Sequence, residues 1–341
     1  MPLRRDTGSA HVRSDPRIPR PVERMTDADR HAIAPDGTRI AWERSGAGRP
    51  AVVLCDGIGC AGYIWRHLAP ALSAERRVIH WTYRGHGESD PPRDPARVGI
   101  PDCVDDLLAV LDAAGERAAV LAGHSMGVQV ALEAHRRAPG RVRGLILVCG
   151  APGHTIDSFH DSPALRLALP WARALVDLFP GAARAVFQAV VPTELALQYA
   201  LAFEVDGSRV AREDMVRYLG DLSRIDPTLF VRMLAAAGEH DATDHLPAVD
   251  VPTLVVAGER DTFTPMRLSE AMHQAIRGSE LLVLPGGTHV APLEHPALLR
   301  EQVLAFLRSR LPVRRRRAPA PIARSRAPGR RPRGRRPGAG R

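Results

Sequence analysis

The chain has 341 residues, 45% of them hydrophobic and 25% charged, a globular balance long enough for one large α/β domain with an insertion. All 47 basic residues behind its formal charge of +9 are arginine, and the absence of lysine excludes a pyridoxal Schiff base, a Walker P-loop of the GxxxxGKS/T type and a lysine-based serine dyad. No run of about eighteen apolar residues occurs and no hydrophobic stretch follows the N-terminal arginines, so the expectation is a soluble, cytoplasmic protein without a membrane span.

Charge is unevenly spread. Residues 313–341 hold twelve Arg and no acid, and the first 25 residues hold six Arg against Asp6, Asp15 and Glu23, so the body between them is net acidic. Neither end shows hydrophobic periodicity, and both read as disordered extensions, 1–25 and 313–341. The Arg/Pro-rich tail suits a solvated extension, or weak contact with nucleic acid or an anionic surface. Cys55, Cys60, Cys103 and Cys149 lack CxxC pairing and read as reduced apolar fillers, with a thiol lining the site as the alternative for Cys55 and Cys60.

In chain order, HAIA and TRIAWER, parted by PDG, predict an N-terminal hairpin. Strand-like runs follow at 51–57, 77–83, 118–124 and 144–150, with helical patterns near 64–74, 102–113 and 126–138 between them. From Pro152 to His245 the strand signal stops, and helix-forming stretches are interrupted by Pro170, Pro180, Pro192 and Pro227. Strands resume at 253–259 and 280–286, with a helix after Pro265 and a last one over about 296–310. The expected class is α/β, a mostly parallel central sheet flanked by helices, with 26–151 and 246–312 forming the core and 152–245 an inserted helical lid.

The chemistry centres on GHSMG, 123–127, directly after the apolar run AAVLA and directly before the helical stretch MGVQVALEAHRRA. This is the setting of a nucleophile elbow, a tight strand–turn–helix that lifts a serine hydroxyl off the strand end. Ser125 is the expected nucleophile, and Gly123 and Gly127 leave the turn free of Cβ atoms. Of fourteen histidines, His289 in GGTHVAPLEHP is the best placed base, at the end of a strand-like run; His295 is an alternative, while His124 and His86 read as packing or hydrogen-bonding residues. Asp261, a few residues past the preceding strand, is the expected acid, with Asp157 or Asp161 as competitors. Two backbone donors for an oxyanion are expected from Met126 and from Ile58 in the loop DGIGC.

Together these segments resemble the α/β-hydrolase superfamily, in its lidded form with a serine nucleophile, over about residues 30 to 310. YRGHGESDPP (83–92) resembles its RGHGxS turn, and AGERDTFTP and GGTHVAPLEHP resemble its acid and histidine segments. Two positions depart from the pattern. Asp56 stands where a histidine is usual before the oxyanion-loop glycine, and is expected to point away or to be neutralised by an arginine such as Arg84. Val128 replaces a common glycine and is expected to tighten the start of the helix.

The resemblance implies hydrolysis of a carboxylic ester or thioester of a small, largely apolar substrate through an acyl-enzyme, with neither cofactor nor metal. A serine nucleophile excludes the aspartate-dependent epoxide hydrolases and haloalkane dehalogenases. Alternatives are an acyltransferase, a perhydrolase-like activity or a carbon–carbon bond hydrolase with the same triad, or a non-catalytic binding protein. Trp171, Phe179, Phe187, Tyr199, Phe203, Tyr218, Phe230 and Met233 are candidates to line the pocket or to pack lid on core. Chain length and pattern leave the oligomeric state open.

Overall fold

Strand runs that are apolar at every position or all but one, such as AVVLC and TLVVAG, belong to parallel strands covered on both faces. The computed structural model places them so. It describes residues 31–313 apart from Phe159 and Asp161; the expected extensions, Val313 aside, lie outside the described residues. β1 (His31–Ile33) and β2 (Arg39–Ser45) form the antiparallel hairpin, turning at Gly37 with φ +83°. β3 (Ala51–Cys55), β4 (Val78–Trp81), β5 (Ala119–His124), β6 (Val142–Val148), β7 (Thr253–Gly258) and β8 (Glu280–Leu284) complete one sheet, ordered β1-β2-β4-β3-β5-β6-β7-β8. All neighbours from β4 to β8 are parallel.

Successive side chains of a strand face opposite sides, so the sheet feeds two cores. Val53 and Leu121 pack with α2 (Ile100–Ala113), α3 (Met126–Arg137) and α10 (Met266–Ala275) through Leu107, Val130 and Met272. Leu54 and Ala122 pack on the other side with α1 (Ala69–Ser73) and, after the short α11 (Ala291–Glu294), with α12 (Pro296–Arg310), through Leu72, Val303 and Phe306. The helix expected near 64–74 is instead a short 3-10 turn, Tyr63–Trp65, followed by α1, because Pro70 has no N–H to continue a helix and suits the first turn of a new one.

Between β6 and β7 run α4 (Thr155–Ser158), α5 (Ala164–Leu178), α6 (Pro180–Val190), α7 (Glu194–Tyr199), α8 (Arg212–Ser223) and α9 (Pro227–Glu239). Proline starts two of them. α6 opens on Pro180, and α9 carries Pro227 in its first turn behind an Asp226 side chain that accepts from the Thr228 and Leu229 amides. The excursion begins and ends at one place, where Gly153 and Asp241 pair as an isolated bridge. No single helix among the described residues is long and apolar enough to cross a membrane.

With no lysine in the chain, arginine and histidine supply every side-chain cation in the fold's ion pairs, as in Arg97 with Asp102 and Asp105, and Arg308 with Glu75. The deepest is at Arg84, fully buried, whose Nε and Nη2 donate to both oxygens of Asp106 at 2.9 and 2.6 Å while Nη1 reaches Asp36 at 3.0 Å. This ties the β1–β2 turn to α2. Removing one partner of such a pair strands a buried charge, so Asp106→Ala is expected to lower the unfolding free energy by about 3 kcal/mol. Urea denaturation measures it, and a loss below about 1 kcal/mol would show that the pair is not structural.

Candidate active site

One residue separates β5 from α3. That residue, Ser125, has φ 54° and ψ −119°, a conformation costly for any side chain with a Cβ. The surrounding backbone leaves it no alternative. A Cβ at Gly123 would lie 2.2 Å from the Gly127 carbonyl oxygen, and one at Gly127 would lie 2.3 Å from that of Cys55. Val128 is fully buried and packs on Gly150, where a Cβ would meet Val128 Cγ2 at 2.4 Å, the tightening expected at that departure. The Ser125 amide donates to Val148 O at 3.1 Å, which ties the turn to β6.

Loops after β7 and β8 bring two more side chains to the same strand ends. Ser125 Oγ lies 3.0 Å from His289 Nε2, and His289 Nδ1 lies 3.1 and 3.0 Å from Asp261 Oδ1 and Oδ2. A carboxylate can only accept, so Nδ1 carries the proton and Nε2 offers its lone pair to the serine. Burial alone would raise the Asp261 carboxyl. The facing His289, with the Thr264 amide and hydroxyl, outweighs it and holds the group below the usual carboxylate range. The competing residues are elsewhere: Asp157 is exposed beside Arg166, His295 caps α12, and Asp161 lies outside the described residues.

The other two histidines near the elbow support main chain. His124 is pushed down to about 4 by burial and by neighbouring His289, so its ring is neutral, and Nε2 donates to His289 O at 2.9 Å. His86, also pushed down to about 4 by burial, donates from Nδ1 to Arg84 O and accepts at Nε2 from the Gly59 amide at 3.2 Å. That last contact holds the loop after β3. In it, a Cβ at Gly57 would stand 3.1 Å from Ser125 Cβ, and the Ile58 amide meets no acceptor among the described residues. The Met126 amide, at the start of α3, is among the unpaired donors of a helix N-terminus.

Asp56 does turn from the cavity, but its partner is not Arg84, which is committed to Asp106 and Asp36. Its Oδ2 accepts from His80 Nε2 at 2.9 Å and from the Gly62 amide at 2.8 Å. Sequence reasoning missed His80, although a histidine inside the apolar run RVIHWTY is itself a signal that a buried partner exists. It also missed Phe263, whose ring stacks on His289 with centroids 4.7 Å apart and planes at 16°, and Thr264; the turn-forming pattern DTFTP was their signal.

A cavity of about 260 Å³ opens over Ser125 and His289, lined by Ile58, Met126, Leu165, Tyr218, Phe230 and Leu234 among others. Of the candidate aromatics among the described side chains, Tyr218 and Phe230 line it. Trp171, Phe179 and Tyr199 face outward, with Trp171 79% exposed, Phe187 packs beside Phe230, and Met233 joins the core. The Phe203 side chain lies outside the described residues. Cys60 lines the cavity, its thiol kept protonated by burial and by the Asp56 charge; burial likewise pushes the Cys55 thiol up to about 12.

A model of the alpha/beta hydrolase fold family matches residues 50–296. The chain is 32% identical over 277 residues to the polyketide synthase ThaQ of Burkholderia thailandensis, a match spanning 80% of this chain and only 12% of that protein. It is 32% identical over 262 residues to a pimeloyl-acyl-carrier-protein methyl ester esterase of Neisseria meningitidis serogroup B, covering 75% of this chain and 94% of the esterase. Among solved structures, a hydrolase from Pseudomonas aeruginosa aligns with a TM-score of 0.67 at 26% identity, covering 81% of this chain and 97% of that one. With fold, turn and sequence in agreement, the chain belongs to the α/β-hydrolase fold family.

Proposed function

We propose that the protein hydrolyses a carboxylic ester or thioester with a small, largely apolar acyl group, through an acyl-enzyme on Ser125. The observation that carries this reading is the unbroken line of contacts from Ser125 Oγ through His289 to Asp261 at the floor of an apolar cavity. In the first step His289 Nε2 takes the hydroxyl proton as Ser125 Oγ bonds to the substrate carbonyl carbon. Asp261 keeps the imidazole in the productive tautomer and stabilises its positive charge. The carbonyl oxygen, now negative, is met by the amides of Ile58 and Met126, donors fixed before the reaction begins. His289 then gives its proton to the departing alcohol or thiol, and a water activated by the same ring releases the acid.

Residues 152–245 act in this reading as a lid. Leu165 of α5, Tyr218 of α8 and Phe230 and Leu234 of α9 wall the cavity opposite Ser125, so apolar acyl groups are buried and bulk water is limited. The name of the Neisseria meningitidis relative, a methyl ester esterase, agrees with the bond type.

A fluorophosphonate probe is expected to label the wild type and not Ser125→Ala; equal labelling of both would remove the serine from the mechanism. Asp261→Asn should keep the fold and lower kcat by about 10⁴, read on p-nitrophenyl butyrate. Across p-nitrophenyl esters of increasing acyl length, the cavity predicts much faster turnover of butyrate than of palmitate. A preference for palmitate would contradict the assigned acyl class.

A further inference from the structure

Asp56 presents an electrostatic difficulty. A carboxylate 1% exposed at the root of a loop that presents its next-but-one amide to a developing oxyanion would oppose that charge, and burying it alone is costly. We propose that His80 is a positioning residue: as an imidazolium paired with Asp56 it neutralises this carboxylate and sets the loop 56–62 so that the Ile58 amide faces the oxyanion. The proposal rests on the hydrolase reading above and adds to it a buried ion pair outside the triad.

Three hydrogen bonds and one close backbone approach meet at Asp56. Its Oδ2 takes the His80 Nε2 hydrogen bond at 2.9 Å and the Gly62 amide at 2.8 Å, which closes the loop on its own first residue. Its main-chain oxygen takes the Tyr83 hydroxyl at 2.7 Å, and the same oxygen would lie 2.8 Å from a Cβ at Gly127 on the elbow. The residue is therefore wedged between the loop and the helix that follows Ser125. Its Oδ1 is buried without a partner among the described residues, so the charge depends on His80.

His80 is held from both sides. Its ring covers Gly62, where φ is +84° and a Cβ would lie 2.8 Å from His80 Cε1, and its Nδ1 faces Glu43 of β2 at 3.7 Å. The titratable groups around the pair are Glu43 on β2, Cys55 at the end of β3, Cys60 and Tyr63 beside the loop, Tyr83 and His86 after β4, and His124 at the end of β5. Burial works against a charged ring, but the attraction of Asp56, helped by Glu43, prevails and raises His80 to about 10. Since this stands above the free value of 6.5, the stability the pair contributes is complete below about pH 6.5 and is lost as pH rises through about 10.

The test compares His80→Gln, Asp56→Asn and the double variant in the full-length protein. His80→Gln leaves Asp56 charged and uncompensated, and is expected to lower kcat on p-nitrophenyl butyrate by 10- to 100-fold with KM changed less than 3-fold. The double variant, with no buried charge, should recover at least 5-fold of that loss, which a side chain that merely fills space would not allow. Ring nitrogen NMR on Ser125→Ala protein gives a readout independent of turnover: His80 should stay protonated to above pH 9, and in Asp56→Asn should titrate near neutrality. A His80 that deprotonates below pH 7 in an otherwise native Asp56 protein, or a His80→Gln variant within 2-fold of wild-type kcat, overturns the proposal. Absence of both turnover and serine labelling in the wild type would instead overturn the hydrolase reading, while the NMR result still decides whether the pair is charged.

Discussion

The architecture is organised around a single backbone conformation, that of Ser125. A non-glycine residue at φ 54° costs about 1–3 kcal/mol, and persists only where neighbours over-determine it. Here the neighbours are mostly main-chain atoms. Gly123 abuts the Gly127 carbonyl, Gly127 abuts the Cys55 carbonyl, and Gly150 abuts Ser125 O and the Val128 side chain, so three adjacent strand ends close on the turn. Because β3, β5 and β6 are consecutive in the sheet, the loop carrying Ile58 and the elbow carrying Ser125 are placed by the same register.

Around that turn, one residue type is used in two charge states. His86 and His124 are buried with main-chain groups, not a carboxylate, as hydrogen-bond partners and lose their protons, which lets each brace a loop. His80 is buried as well, but beside a carboxylate, and keeps its charge. Burial is common to all three, and the neighbouring charge decides.

Much of this was legible in the chain itself. Strands buried on both faces advertise themselves as uninterrupted apolar runs, so β3, β5 and β7 fall within a residue or two of the expected bounds. Ser125, Asp261 and His289 were legible because each follows such a run at the end where an α/β sheet opens to ligands, and the structure brings all three into contact. What required coordinates were the pairings across the sheet. His80 lies within β4 and Arg84 three residues beyond its end, and the sequence pattern does not say which of the two reaches Asp56. The aromatics of 152–245 were equally ambiguous, since α5 carries apolar residues on both its inner and outer faces and periodicity cannot say which one meets the core.

The absence of lysine from the ion pairs has a consequence for alkaline conditions. An ammonium begins to discharge near pH 10, whereas a guanidinium stays cationic past 12, so the contacts Arg84 makes with Asp106 and Arg97 makes with Asp102 and Asp105 persist through a range in which lysine-built proteins come apart. For the same reason, reagents that acylate primary amines find no side-chain amine on this molecule to modify.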